Sequence, residues 1–348
     1  MLTEKQILSA REHLERAQNP VFFYDNDVDG LCSYVLLRRF LGRGKGVAVK
    51  SHPFVDRLYA KKAQELNADY AVVLDRHDLG REFVEEMERL QIPIIWIDHH
   101  DVETEDYSYE DLFVFNPTRN KGKKKSAEPT TYLSYVITNR SEDMWVALIG
   151  CIADNYLPEF VDSFAERYPE YWSKSVEKAF DAYYGTATGR LVKALSFGIK
   201  DSITHVIQLQ NLLISCKSPG DLEIELESSK PFGKKYKEVL KKYNLLMDRA
   251  KKEIGEKVLF FSYSGDLSIS SDLSNELCYL YPDKTIVVAF SAGPFTNISL
   301  RGDNVKQILE EVISDFSNAN GGGHRNAVGA RIETKDLAKF KKGVEDRV

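Results

Sequence analysis

Five short apolar runs, at 21–24, 47–49, 70–74, 94–97 and 112–115, alternate with segments of helical period such as 31–41 and 79–90. Strands that are apolar on every residue have no face for solvent. Their sheet must be covered on both sides, and interleaved helices do this by making the strands parallel. The expected fold is therefore α/β, with a buried parallel sheet in the first half of the chain. Acids then fall where such sheets carry ligands, outside the carboxyl ends of the strands. Asp25, Asp27 and Asp29 follow the first run, Asp75 ends the third, and Asp98, His99 and His100 follow the fourth. One mouth collects them all.

Beyond Asn116 and Pro117 lies a Lys-rich stretch, with Lys121 and Lys123 to Lys125, and then helical segments to about residue 184. Residues 185–256 read as a helical linker, interrupted near Ser218, Pro219 and Gly220 and suited to connecting or to oligomerisation. A smaller α/β pattern fills 257–348, with strands expected at 258–263, 285–290, 297–300 and 327–332 and a loop at Gly321, Gly322, Gly323 and His324. The expected division is a catalytic domain at 1–184, the linker at 185–256 and a substrate-binding domain at 257–348. No internal repeat is present.

Composition removes several classes. No apolar run approaches the ~20 residues of a spanning helix, so no membrane role is expected. The amphipathic start lacks the apolar core of a signal peptide. Four scattered cysteines, Cys32, Cys151, Cys216 and Cys278, form no C-x-x-C pair. That excludes a disulfide-built fold and suits a cytoplasmic location. Lys plus Arg number 47 against 53 Asp plus Glu, a net charge of -6. A polyanion must then be met by a local basic patch or by bound cations.

Asp25-Asn26-Asp27-Val28-Asp29-Gly30 places three carboxylates at alternate positions of one turn. Like charges this close repel unless protons or cations intervene. An EF-hand loop shares this opening but needs Glu at its twelfth position, which here is Leu36. Asp98-His99-His100 joins carboxylate to imidazole, a donor mixture suited to manganese, iron(II), zinc or magnesium. Asp154 and Asn155 close an apolar helical segment that contains Gly150. Each feature alone has an ordinary structural reading, since Asp is common at helix starts and strand ends. Together they supply the acid and imidazole donors that divalent cations take.

In this order, D-x-D-x-D-G, the strand-end Asp75, D-H-H and G-x-x-x-D-N resemble the four motifs of the DHH phosphoesterases. Ser299, Leu300 and Arg301, with Gly321 to Arg325, resemble that family's associated substrate-binding domain. The first motif is more similar to RecJ-type exonucleases, in their compact archaeal form, than to short-oligonucleotide hydrolases. The resemblance implies two Mn²⁺ (or Mg²⁺) ions. Asp27 would bind the first and Asp29 the second. Asp75 would bridge them, and His99 and Asp154 would complete the ligands of the second ion. His100 would face the scissile phosphate. Phe23 stands where many relatives carry a His, and Asp25 is placed to compensate. Arg301, Gly321, Gly322, Gly323, His324 and Arg325 would grip a strand end.

The function this implies is an exonuclease on single-stranded DNA or RNA, 3′→5′ in direction, serving DNA repair or replication. Cations in an acidic mouth would invert the local field and so admit a polyanion. The alternatives are a hydrolase of short oligoribonucleotides, cyclic dinucleotides or 3′-phosphoadenosine phosphate, and a non-catalytic replication or repair scaffold. The linker leaves room for a helicase, another repair protein or a second copy as partner. His52, His77 and His205 are expected to be structural, and the Lys run at 121–125 a solvated loop.

Overall fold

The computed structural model describes residues 1–50, 54–101, 107–120 and 128–348. His52 and the Lys run at 121–125 lie outside them. The chain divides into two units, Met1–Tyr236 and Lys237–Val348.

The first unit is built on β1 (Pro20–Asp25), β2 (Lys45–Val49), β3 (Tyr70–Leu74), β4 (Ile94–Ile97) and β5 (Leu112–Phe115). Their order is β2-β1-β3-β4-β5 and every pairing is parallel. One face of the sheet, with Val21, Phe23, Val73 and Trp96, packs against Phe83 and Met87 of helix Arg81–Arg89 and Ala60 and Ala63 of helix Arg57–Glu65. From the other face Phe22 and Tyr24 meet Tyr34 of helix Val28–Leu41. That helix is buried on nearly every side over its first ten residues, which explains why it carries no polar stripe. Burial on both faces is what the uninterrupted apolar runs require.

Helices Ala187–Gly198, Ile203–Ser215 and Pro219–Glu227 follow in the first unit, and the boundary between units falls inside the 20-residue helix Pro231–Ala250. The second unit holds β6 (Val258–Ser264), β7 (Thr285–Ala292), β8 (Phe295–Arg301), β9 (Asn320–His324) and β10 (Ala327–Glu333), in the order β6-β7-β8-β10-β9. Only β6 and β7 are parallel. Its core joins Val287, Ala289, Ile298 and Leu300 to Leu309 and Val312 of helix Val305–Ile313 and Phe340 and Val344 of helix Leu337–Glu345.

One expectation is corrected here. Gly321, Gly322 and Gly323 form no loop but the middle of edge strand β9, with Gly322 opposite Gly329 of β10. A run without side chains shows no alternation, so its strand character is invisible in the sequence. All four cysteines are free thiols, three of them buried. No helix among the described residues is long and apolar enough to cross a membrane.

Candidate metal centre

The carboxyl ends of β1, β3 and β4 deliver the acidic and imidazole side chains to one place. The turn after β1 becomes the N-terminus of helix Val28–Leu41. Asp27 is its N-cap, with its carboxylate accepting from Gly30 N–H at 2.8 Å. Gly30 is obligatory, because a Cβ there would collide with the backbone carbonyl oxygen of Asp25. Asp29 is turned inward and 2 % exposed. Its two oxygens accept from the backbone N–H groups of Thr130 and Thr131, at 2.9 and 2.7 Å, which open helix Thr130–Thr138. Those N–H groups would otherwise be unpaired at a helix start.

Asp75 follows β3 with φ of +59°, a left-handed conformation unusual for a residue other than glycine. It is 3 % exposed and accepts from Thr130 Oγ1 at 3.1 Å. Arg76, equally buried, reaches Asp25 with Nη1 2.5 Å from Oδ1. Trp96 Nε1 donates to the Arg76 carbonyl at 2.8 Å and so fixes this turn.

His99 Nε2 is 3.4 Å from Asp75 Oδ1, 3.8 Å from Asp154 Oδ2 and 4.0 Å from Asp29 Oδ2. His100 Nδ1 lies 2.7 Å from Asp98 Oδ1, and Asn116 Nδ2 donates to the other Asp98 oxygen at 3.1 Å. Asp154 caps the end of helix Met144–Ala153. Three sets of donors converge closely enough to share an ion each: Asp25, Asp27 and Asp75; Asp29, His99 and Asp154; Asp75, His99 and His100.

Electrostatics test whether these residues fit a cation. Withdrawal from solvent, reinforced by Asp25 and Asp29, pushes the Asp27 carboxyl up to about 7. Partial desolvation together with Asp29 and Asp27 pushes Asp154 to about 8. Burial and four neighbouring carboxylates hold Asp75 well above the usual range. Burial lowers His99, whereas at His100 the bond to Asp98 overcomes burial and raises it. Carboxylates crowded so that they resist ionisation are the arrangement a divalent cation relieves. The residues fit a hard or borderline cation with oxygen and imidazole ligands.

The sequence-predicted residues Asp25, Asp27, Asp29, Asp75, His99, His100 and Asp154 thus meet in the first unit. Arg301, Gly321 to Gly323, His324 and Arg325 lie in the second. There Arg301 is engaged by Asn275 Oδ1 at 2.6 Å and by the carbonyls of Leu300 and Val328, while Arg325 is exposed and 3.6 Å from Asp303. Phe23 is wholly buried, edge-on to Tyr59 and Phe83. Sequence reasoning passed over Arg76, Asn116, Thr130 and Thr131, and set His77 aside although its ring centre is 5.9 Å from that of His100. Of these only Arg76 stands next to a predicted site residue in the sequence, Asp75, and its meaning depends on Asp25 being brought to it by the fold.

Residues 21–152 match the family described as DHH family, N-terminal domain. RecJ from Thermus thermophilus, solved in complex with Mn²⁺, is similar at a TM-score of 0.68 and 14 % identity, covering 100 % of this chain and 55 % of that one. This chain therefore spans about half the length of that relative. An exonuclease RecJ bound to manganese gives 0.63 and 15 %, covering 100 % and 94 %. CDC45 from Entamoeba histolytica gives 0.58 and 10 %, covering 99 % and 98 %. No curated protein matches this chain by sequence.

Proposed function

We infer an enzyme that trims single-stranded nucleic acid from one end, a reading supported by the match of residues 21–152 to the DHH family, N-terminal domain, whose members are metal-dependent phosphoesterases. The observation that supports it is the convergence of six acid and imidazole side chains from the carboxyl ends of three parallel strands with Asp154 from the end of helix Met144–Ala153. Asp25, Asp27 and Asp75 would hold one cation, and Asp29, His99 and Asp154 a second beside it. Bound ions would supply Lewis-acid charge to phosphoryl oxygens and an activated water.

The remaining roles belong to the chain itself. Thr130 and Thr131 fix the Asp29 carboxylate and Thr130 also fixes Asp75, so these acids are preorganised. Asp98 holds His100 through Nδ1 and favours its charged form, leaving Nε2 to donate to a phosphate oxygen. Arg301 and Arg325, with His324 and the glycines of β9, would take the strand end in the second unit. The 3′→5′ direction and a place in repair or replication follow from the resemblance to RecJ-like nucleases.

The test uses 5′-labelled DNA and RNA from dinucleotide to about 20 nucleotides, with Mn²⁺, with Mg²⁺ or with EDTA, beside Asp75→Asn. A descending ladder that needs both metal and Asp75 is expected. Immediate release of labelled mononucleotide reverses the direction. Cleavage confined to the shortest oligomers makes it a small-substrate hydrolase, and no cleavage with any metal makes it a scaffold.

A further inference from the structure

The second unit carries a basic groove that the proposed active site does not use. It is a cavity of about 670 Å³ along the outer strand β6. Arg249, Lys252, Lys335 and Lys341 line it against a single carboxylate, Glu253. In a chain of net charge -6, a wall lined by four cations and one acid is a local reversal, even with two of the cations paired to carboxylates outside the lining.

The cations are held on both faces of the strand. Phe260 and Phe261 are consecutive in β6, so their rings point to opposite faces. Lys341 lies over the Phe260 ring at 5.3 Å and Arg249 over Phe261 at 5.8 Å. These cation–π contacts set the charges along the groove wall. Lys335 is paired with Glu333, and Lys341 is 3.8 Å from Glu345 one turn away. Arg249 and Lys252 form no ion pair among the described residues, so their charge is available to a ligand. Ser262 adds a neutral hydroxyl.

We propose that this groove docks the phosphodiester backbone of a single-stranded nucleic acid. Cations set on two sides of a strand edge suit a linear ligand with repeated negative charge better than one isolated phosphate. An acidic peptide would be expected to add as a further strand to an open sheet edge. The outer edge of β6 is already engaged, by the bridge of Ile254 to Leu259 and by the turn that carries Lys252 and Glu253. Leu337 and Ala338 complete the wall between the cations. This inference rests on the phosphoesterase reading only for what happens to the strand after it docks.

The test is fluorescence anisotropy of the full chain in EDTA with labelled 20-mers, dT and rU, across 50–200 mM KCl. Arg249→Glu with Lys252→Glu is compared with Lys5→Glu with Lys61→Glu, exposed lysines of the first unit, which changes net charge equally. The groove double variant is expected to bind at least tenfold more weakly, with a salt slope shallower by about one to two, since each lost phosphate contact removes ~0.7. An unchanged affinity, a loss matched by the control pair, or preference for poly-glutamate over the 20-mers overturns the proposal. Cleavage by the unmodified protein with Mn²⁺ is followed in parallel. Absence of cleavage at every length, from dinucleotide to 20-mer, would sink the phosphoesterase reading and leave the docking result standing, whereas unaltered 20-mer binding beside normal cleavage would do the reverse.

Discussion

Asp75 combines a left-handed backbone, near-complete burial and four carboxylate neighbours that disfavour its charge. Each of these destabilises the folded chain, and a cation offsets the electrostatic part. Asp75→Asn keeps the shape and removes the charge. The metal-free variant should melt higher than the parent, should gain little from Mn²⁺, and should lose roughly 10²–10³ or more in rate, the equivalent of several kcal/mol of Lewis-acid stabilisation. A variant that melts lower in EDTA yet keeps its full Mn²⁺ shift would remove Asp75 from the ligand set. Arg76 acts through Asp25, since its guanidinium holds one carboxylate oxygen at 2.5 Å. Arg76→Met should weaken Mn²⁺ binding by about 10–100-fold, the range for residues that orient metal ligands, as read by calorimetric titration. Unchanged affinity would make the pair purely structural. Residues like Arg76 were hard to read because a lone Arg after a strand gains meaning only when the chain brings Asp25 beside it. The carboxylates of D-x-D-x-D-G were legible because their crowding is local and already costly in the sequence.

At the scale of elements, the site depends on how closely helix Met144–Ala153 approaches helix Thr130–Thr138. A Cβ on Gly150 would collide with Thr131 Oγ1, and Thr131 N–H holds Asp29. Gly150→Ala should therefore push the start of helix Thr130–Thr138 away from Asp29. The expected cost is about 1–3 kcal/mol from overpacking, with weaker Mn²⁺ binding alongside it. Denaturant unfolding read beside metal titration checks this, and a stability loss without loss of affinity would uncouple the contact from the site. The five parallel strands were readable at this scale, since two-sided burial leaves an unbroken apolar run. The β9 strand was not, because three glycines carry no side chain to alternate. Nor could the sequence show that Thr130 and Thr131 would anchor Asp29, since a helix start offers the same bare N–H groups wherever it falls.

Across the whole molecule, the acids couple folding to pH and to metal. Asp27 is raised to about 7 and Asp154 to about 8, both above the roughly 3.9 of an unfolded aspartate. The folded state then holds protons that the unfolded state has released. The stability these groups contribute is complete below about pH 4 and is lost as pH rises through 7 and 8. Metal-free protein should accordingly melt at falling temperature between pH 5 and pH 8.5. A bound cation reverses this, because it requires the carboxylates ionised and His99 neutral, so its affinity rises with pH. His99 is already held below its usual value by burial, which favours its neutral, ligating form. The melting temperature with Mn²⁺ minus that with EDTA should grow steadily from pH 5 to pH 8.5, and Asp75→Asn should flatten most of the rise. A difference independent of pH in the parent would mean that the ion binds elsewhere than among these carboxylates.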